Sequence, residues 1–327
     1  SFTTGMLTSA VVFIGITFIG GMWSASLSNI LNVVLIYVGI VAATVVSVVQ
    51  HGGLATVIAK LPPAVPYTSL IAGVGPMGIL GWILVLVTVN LSLQSIIQIS
   101  LGAKDVATAQ RGFIIGGAIM LPIGFICALT GIIARADYPN VSAAMALPLM
   151  IMSLNPILSG VTLAALWAAD ISTACNLLLS SATLFSQDIY KRMIHPSTSE
   201  KNLLLVTKGS VLVLGALTLI LAMTVSGIIQ TIMIGLSLTA AFSVVVLFTL
   251  FTPGLCRKNS AFYTIAGGLV TLVLWQLVPA IRILPHVIYM EWVVCTAIFL
   301  LVYALDSQPI KADAFLTTAA GKAADSI

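Results

Sequence analysis

Ala168-Ala169-Asp170-Ile171-Ser172-Thr173-Ala174-Cys175-Asn176 lies in the middle of an apolar run that opens at Asn155-Pro156 and closes at Ser186-Gln187-Asp188-Ile189-Tyr190-Lys191-Arg192. The opening is a helix start: an asparagine N-cap, then a proline whose missing N–H costs nothing in a first turn. The run exceeds the roughly 20 residues needed to cross a bilayer. Its middle is nevertheless polar. On a helix Ser172, Thr173, Asn176, Ser180 and Thr183 share one stripe, and Asp170 lies about 60° from Thr173 on its flank. At membrane depth such a stripe must face protein or water rather than lipid. Two uses compete for it: hydroxyls that bond their own backbone or a neighbouring helix, and a polar wall offered to an ion or solute.

The rest of the composition agrees with a membrane setting. Hydrophobic residues make up 60 % of the 327 and charged residues 7 %, against roughly 25 % charged in soluble domains. The formal charge of +4 comes from basic residues scattered over short loops, so no nucleic-acid partner is expected. The cysteines, Cys127, Cys175, Cys256 and Cys295, are far apart and lack a CxxC, and no disulfide framework is expected. His51, His195 and His286 are isolated and make no metal-ligand spacing. Without a nucleophile–base pair, a phosphate loop or a zinc signature, an enzyme is not expected.

About nine transmembrane helices follow from the hydrophobic runs, at 5–22, 26–49, 77–100, 112–134, 157–186, 203–225, 227–252, 260–281 and 287–305. The fold expected is an all-α integral membrane bundle over residues 1–306, with a polar cytoplasmic tail over 307–327. One set of span ends carries Lys104, Arg111, Lys191, Arg192, Lys201, Lys208, Arg257, Lys258, Lys311 and Lys322. The other set carries only Lys60, Arg135 and Arg282. Positive charge stays inside, so the first residue is expected outside, the C-terminus in the cytoplasm, and Cys256 on the cytoplasmic side. The 50–76 loop, with Gly52-Gly53 and Leu61-Pro62-Pro63, is expected to be a surface excursion with little structure of its own. Glu291 is expected to be a surface or paired charge.

In the third span Asn90, Gln94 and Gln98 recur at i, i+4, i+8, with Ser92 and Ser95 beside them. Amides on one helical face can hydrogen-bond a small polar solute or a neighbouring helix. Asn90 and Gln94 are the candidate substrate-binding residues.

Several motifs together carry a resemblance. Ala-Ala-x-x-Ser-Thr-Ala at 168–174, then Ser180-Ser181 and Asp188-Ile189-Tyr190-Lys191-Arg192, resembles the sodium:solute symporter family of sodium-coupled sugar, proline, pantothenate and monocarboxylate carriers. Leu101-Gly102-Ala103-Lys104-Asp105 with Ala109, Arg111 and Gly112 is similar to a loop of that family. Gly20-Gly21, followed by Ser28 and Asn29 where Thr and Asp are usual, is similar to its Gly-Gly turn. The resemblance implies a leucine-transporter-like core of inverted repeats working by alternating access in the cell membrane. It implies sodium held by the Ala169 carbonyl and the Ser172 and Thr173 hydroxyls, oxygens that suit a small hard cation. Laid on that core, the chain begins at the fourth core helix. The expected function is sodium-coupled symport of a small polar solute. Two alternatives stand beside it: a proton-coupled carrier of the same fold using Asp170, an intramembrane carboxylate, and a non-transporting or truncated membrane subunit.

Overall fold

The structure, a computed structural model, describes residues 2–63, 65–224, 232 and 235–308. The elements among the described residues are helices joined by turns and loops, in the order α1 (Phe2–Gln50), α2 (Leu54–Ala59), α3 (Pro76–Ser92), α4 (Gln94–Leu101), α5 (Val106–Asp137), α6 (Ala143–Met152), α7 (Pro156–Leu184), a π-helix (Phe185–Ile194), α8 (Glu200–Ala222), α9 (Thr239–Phe251), a 3-10 turn (Pro253–Leu255), α10 (Ser260–Leu277), a second 3-10 turn (Pro279–Ile281) and α11 (Val287–Leu305). Two compact units share them: Ser1–Gly73 with Gln98–Thr224, and Val74–Ile97 with Val225–Ile327. Seven described segments are long and apolar enough to cross a membrane, and α3 with α4 makes an eighth if the bent pair is one span. Of the seventh expected span, 227–252, only part is described, including α9; the tail from 309 onward lies outside the described residues.

The first unit is built on α1 and α7. α1 contains the first two expected spans and changes direction at Gly21, whose φ of 54° and ψ of −137° lie where side-chain-bearing residues are strained. This is the Gly-Gly turn anticipated from the sequence. After the turn, α1 packs on α7 where Gly39 leaves room: a methyl there would come within 2.6 Å of the Ala165 Cβ. Thr162 on α7 donates to the Gly39 carbonyl at 3.3 Å. Ala43 continues this side of α1 into an apolar cluster with Val57, Ile133, Ala134, Met150, Ile151 and Leu154. The hydroxyls of Thr44 and Thr130 meet at 2.6 Å, bonding α1 to α5.

Two features of this unit depart from expectation. The 50–76 loop contains α2, because Val57 is drawn fully into the cluster just named. His51, isolated in sequence, puts Nε2 at 2.7 Å from the Asp137 carboxylate and so joins the ends of α1 and α5. α5 itself starts as its sequence demands. Asp105 is the N-cap and accepts from the Thr108 N–H at 2.6 Å, which holds its carboxyl below the usual carboxylate range.

The second unit packs α9, α10 and α11 together, with α3 against α9 and α11. Gly268 sits so close to α9 and α11 that a methyl on it would lie 2.7 Å from the Ala241 Cβ and 3.1 Å from the Cys295 Sγ. Phe248 and Phe299 stack at 4.3 Å, worth about 0.5–1.5 kcal/mol beyond their burial. Cys256, expected at a water-facing end, is buried at 6 % exposure against this cluster.

Candidate functional site

α7 starts as its sequence predicts: the Asn155 side chain accepts from the Leu158 N–H at 2.9 Å, with Pro156 at the first helical position. One face of α7 is spent on packing. Ile171 and Cys175 meet Val12, Phe13 and Ile16 of α1, and Leu178 and Ala182 meet Val211 of α8 and Phe13, Ile14 and Phe18 of α1. The opposite face, through Asp170, Thr173, Leu177, Ser181 and Leu184, is exposed. Those positions recur at helical spacing. The stripe read from the sequence therefore straddles a border: Ser180 is buried, Ser172, Asn176 and Thr183 are half-buried, and Thr173 is exposed.

The hydroxyls of this stripe bond back to their own helix. Ser180 donates to Asn176 O at 2.7 Å and Thr183 to Leu179 O at 2.8 Å, the behaviour expected of hydroxyls in apolar helices. Ser172 and Thr173 differ in one respect. Ser172 Oγ donates to the Ala169 carbonyl at 2.8 Å, and Thr173 Oγ1 donates to the same carbonyl at 3.2 Å. The oxygens of Ala169, Ser172 and Thr173 thus form one group at the edge of the buried face. Each hydroxyl oxygen retains its lone pairs and its proton can rotate away, so the group can present three oxygens to a hard cation. Asp170 is exposed next to it.

Asn90 and Gln94 lie in the second unit and lead to a correction. The third span, expected as one continuous helix over 77–100, is interrupted at Leu93 (φ −69°, ψ 119°), and α3 and α4 meet at a bend of 48°. The Leu93 N–H bonds to Val89 O at 2.8 Å, and the Leu93 carbonyl accepts from Ile96 and Ile97 at 3.0 and 3.2 Å. The amides therefore do not share one helical face. Asn90 precedes the break, is exposed, and donates to Leu86 O at 2.7 Å; Gln94 opens α4 and is half-buried. A helix broken at this depth frees last-turn carbonyls and first-turn N–H groups beside the two amides. Neither glycine nor proline marks the break in sequence. What braces it is tertiary: Ser243 Oγ lies 2.7 Å from Thr88 O and 2.9 Å from Ser92 Oγ. Ser92 donates to Thr239 O at 3.2 Å, and Trp292 Nε1 donates to Thr88 Oγ1 at 2.9 Å.

The family model described as the sodium:solute symporter family matches residues 1–268. The chain belongs to the sodium:solute symporter family. Relatives include the sodium/proline symporter of Escherichia coli (strain K12), 25 % identical over 301 residues, which are 84 % of this chain and 57 % of that protein. The sodium/pantothenate symporter of Haemophilus influenzae is 30 % identical over 199 residues, 58 % of this chain and 40 % of its own length. The sodium/glucose cotransporter 4 of Danio rerio is 32 % identical over 146 residues, 39 % and 22 % of the two chains. The chain thus spans less than two thirds of these relatives. Among solved structures, a Na+-coupled sialic acid symporter in a substrate-bound outward-open state superposes with a TM-score of 0.78 at 16 % identity, over 95 % of this chain and 68 % of that one. The leucine-transporter-like helix bundle expected from the sequence is the fold shared with that symporter. This is a multi-pass membrane protein.

Proposed function

We propose that the protein is a sodium-coupled symporter of a small polar organic solute, with sodium as a transported substrate held in part by Ala169 O, Ser172 Oγ and Thr173 Oγ1. The observation that carries this reading is the convergence of both hydroxyls on one carbonyl, inside the most family-like stretch of a family member. As sodium arrives, each hydroxyl turns its proton away from Ala169 O and offers a lone pair instead, so the ion replaces the two protons on that carbonyl. The polar solute is assigned to Asn90 and Gln94, which flank the break at Leu93. Sodium and solute then raise each other's affinity by the same factor. The named relatives and the structural neighbour are sodium-coupled, which favours sodium over a proton at Asp170 and a carrier over a silent subunit. The ten-to-three bias of basic residues assigns the Lys191–Arg192 end of the π-helix to the cytoplasm of a cell-membrane protein.

Thr173 supplies the test. Thr173→Ala removes one ligand oxygen, whereas Thr173→Ser keeps it. In proteoliposomes the alanine variant should raise the sodium concentration for half-maximal uptake by about tenfold, the value of one polar contact of roughly 1.4 kcal/mol. Serine should restore uptake to near the parent. Equal behaviour of the two variants at every sodium concentration would make Thr173 a packing residue.

A further inference from the structure

Glu291, expected at the surface or in an ion pair, is buried and has no ion-pair partner among the described residues. It lies on the stripe of α11 formed by Ile288, Glu291, Cys295, Phe299 and Val302, the side buried in the second unit, and only 1 % of its surface is exposed. Among the described residues neither carboxylate oxygen has a hydrogen-bond partner. A carboxylate in that state has lost its hydration without replacement, the costliest condition for a side chain in an apolar interior.

Among the described residues, the helices packed against α11 carry no countercharge for Glu291. α3 and α9 contain no ionisable residue, and α10 contains only Tyr263, whose side is 51 % exposed. Residues 225–234, which precede α9, carry none either. On α11 itself Cys295 directs its thiol at the Thr264 carbonyl, 3.8 Å away, and Tyr289 donates to Met77 O at 2.6 Å. Tyr303 lies beneath Arg257, whose guanidinium carbon is 4.4 Å from the ring centre. The flanking groups are committed as well. His286 accepts from the Ile288 N–H at 3.2 Å, and Arg282 donates to Trp275 O and Gln276 O, both at 2.8 Å. Thr264 Oγ1 on α10 adds a third fully buried oxygen without a partner among the described residues. No cation among the described residues pairs with Glu291.

We infer that Glu291 is a proton-binding site: its carboxyl holds a proton while α9, α10 and α11 are closed around it, and releases that proton only when this packing opens. The ligand is the smallest cation, which the closed seam admits without displacing Ala241, Gly268 or Cys295 from their contacts. Because the folded protein then holds a proton that the opened chain gives up, stability falls as pH rises, by at most tenfold in the unfolding constant per pH unit for one proton. The inference does not depend on sodium coupling.

The experiment compares the purified wild-type protein with Glu291→Gln, whose amide imitates the protonated carboxyl, by thermal melting from about pH 6 to pH 9, in sodium chloride and in choline chloride. The expected result is a wild-type melting temperature that declines with pH while that of Glu291→Gln stays within about 2 °C of its value at the acid end. A Gln variant that keeps the wild-type decline would overturn the inference. So would one that is destabilised at every pH or fails to fold, because the glutamate would then be acting as a paired anion. A wild-type decline abolished by sodium and kept in choline would also overturn it, since the carboxylate would then be holding the ion rather than the proton.

Discussion

At the scale of single residues, what a side chain can offer depends on what it has already spent. Asn90 commits one amide N–H to Leu86 O, while Gln94 stands at the first position of α4, where the helix has just restarted. Gln94→Ala is therefore expected to raise the solute concentration for half-maximal uptake with a loss of about 1–3 kcal/mol, and to leave sodium activation nearly unchanged. Asn90→Ala should cost less. Uptake measured at fixed sodium with graded solute separates these outcomes, and unchanged transport with a lowered melting temperature would make both amides helix glue. Ala169, Ser172 and Thr173 were singled out by the family resemblance of their motif, and their spacing of three and four residues puts them on neighbouring positions of any α-helix. The condition of Glu291 was not, since its burial depends on α9 and α10 rather than on its own neighbours in the chain.

At the scale of elements, breaks matter more than lengths. Gly21 turns α1 with a backbone conformation open to glycine, and nothing lies within 4 Å of a Cβ built there. Gly21→Ala therefore isolates backbone strain from crowding. It should destabilise the protein by about 1–3 kcal/mol, read as a lower melting temperature, whereas Gly15→Ala, equally open and helical, should be neutral or slightly stabilising. The turn was visible in sequence because glycine pairs punctuate helices. The break at Leu93 was invisible because ordinary residues occupy it, and it is held by hydroxyls of α9 that come some 150 positions later, Ser92 and Ser243 being 151 apart. α6 was missed for a related reason. Its apolar run is too short to span a membrane and contains Pro148, yet Met150 and Ile151 at its end are buried in the cluster around Val57.

At the scale of the whole molecule, the question is which ends face the cytoplasm. Cys256 is unsuited to answer it because it is buried. Met193, beside Lys191 and Arg192 and 76 % exposed, is suited. In intact cells Met193→Cys should resist a membrane-impermeant thiol reagent and become labelled once the membrane is opened. Ready labelling from outside would reverse the orientation read from the basic residues.

The sequence by itself determined that this chain is a helical membrane protein and which family it belongs to, and it located the helix that carries the candidate ion site. Those facts reside in runs of hydropathy, in capping pairs such as Asn155-Pro156 and in motifs of a few residues, all short-range properties that survive without knowledge of neighbours. Only the tertiary structure decided that Ser180 is buried while Thr173 is exposed, that the third span is broken, that His51 meets Asp137, and that Glu291 has no partner among the described residues. Each of these is set by groups far away in the chain, 86 residues in the case of His51 and Asp137, and a polar side chain's state in an apolar interior is fixed by what surrounds it rather than by its own chemistry.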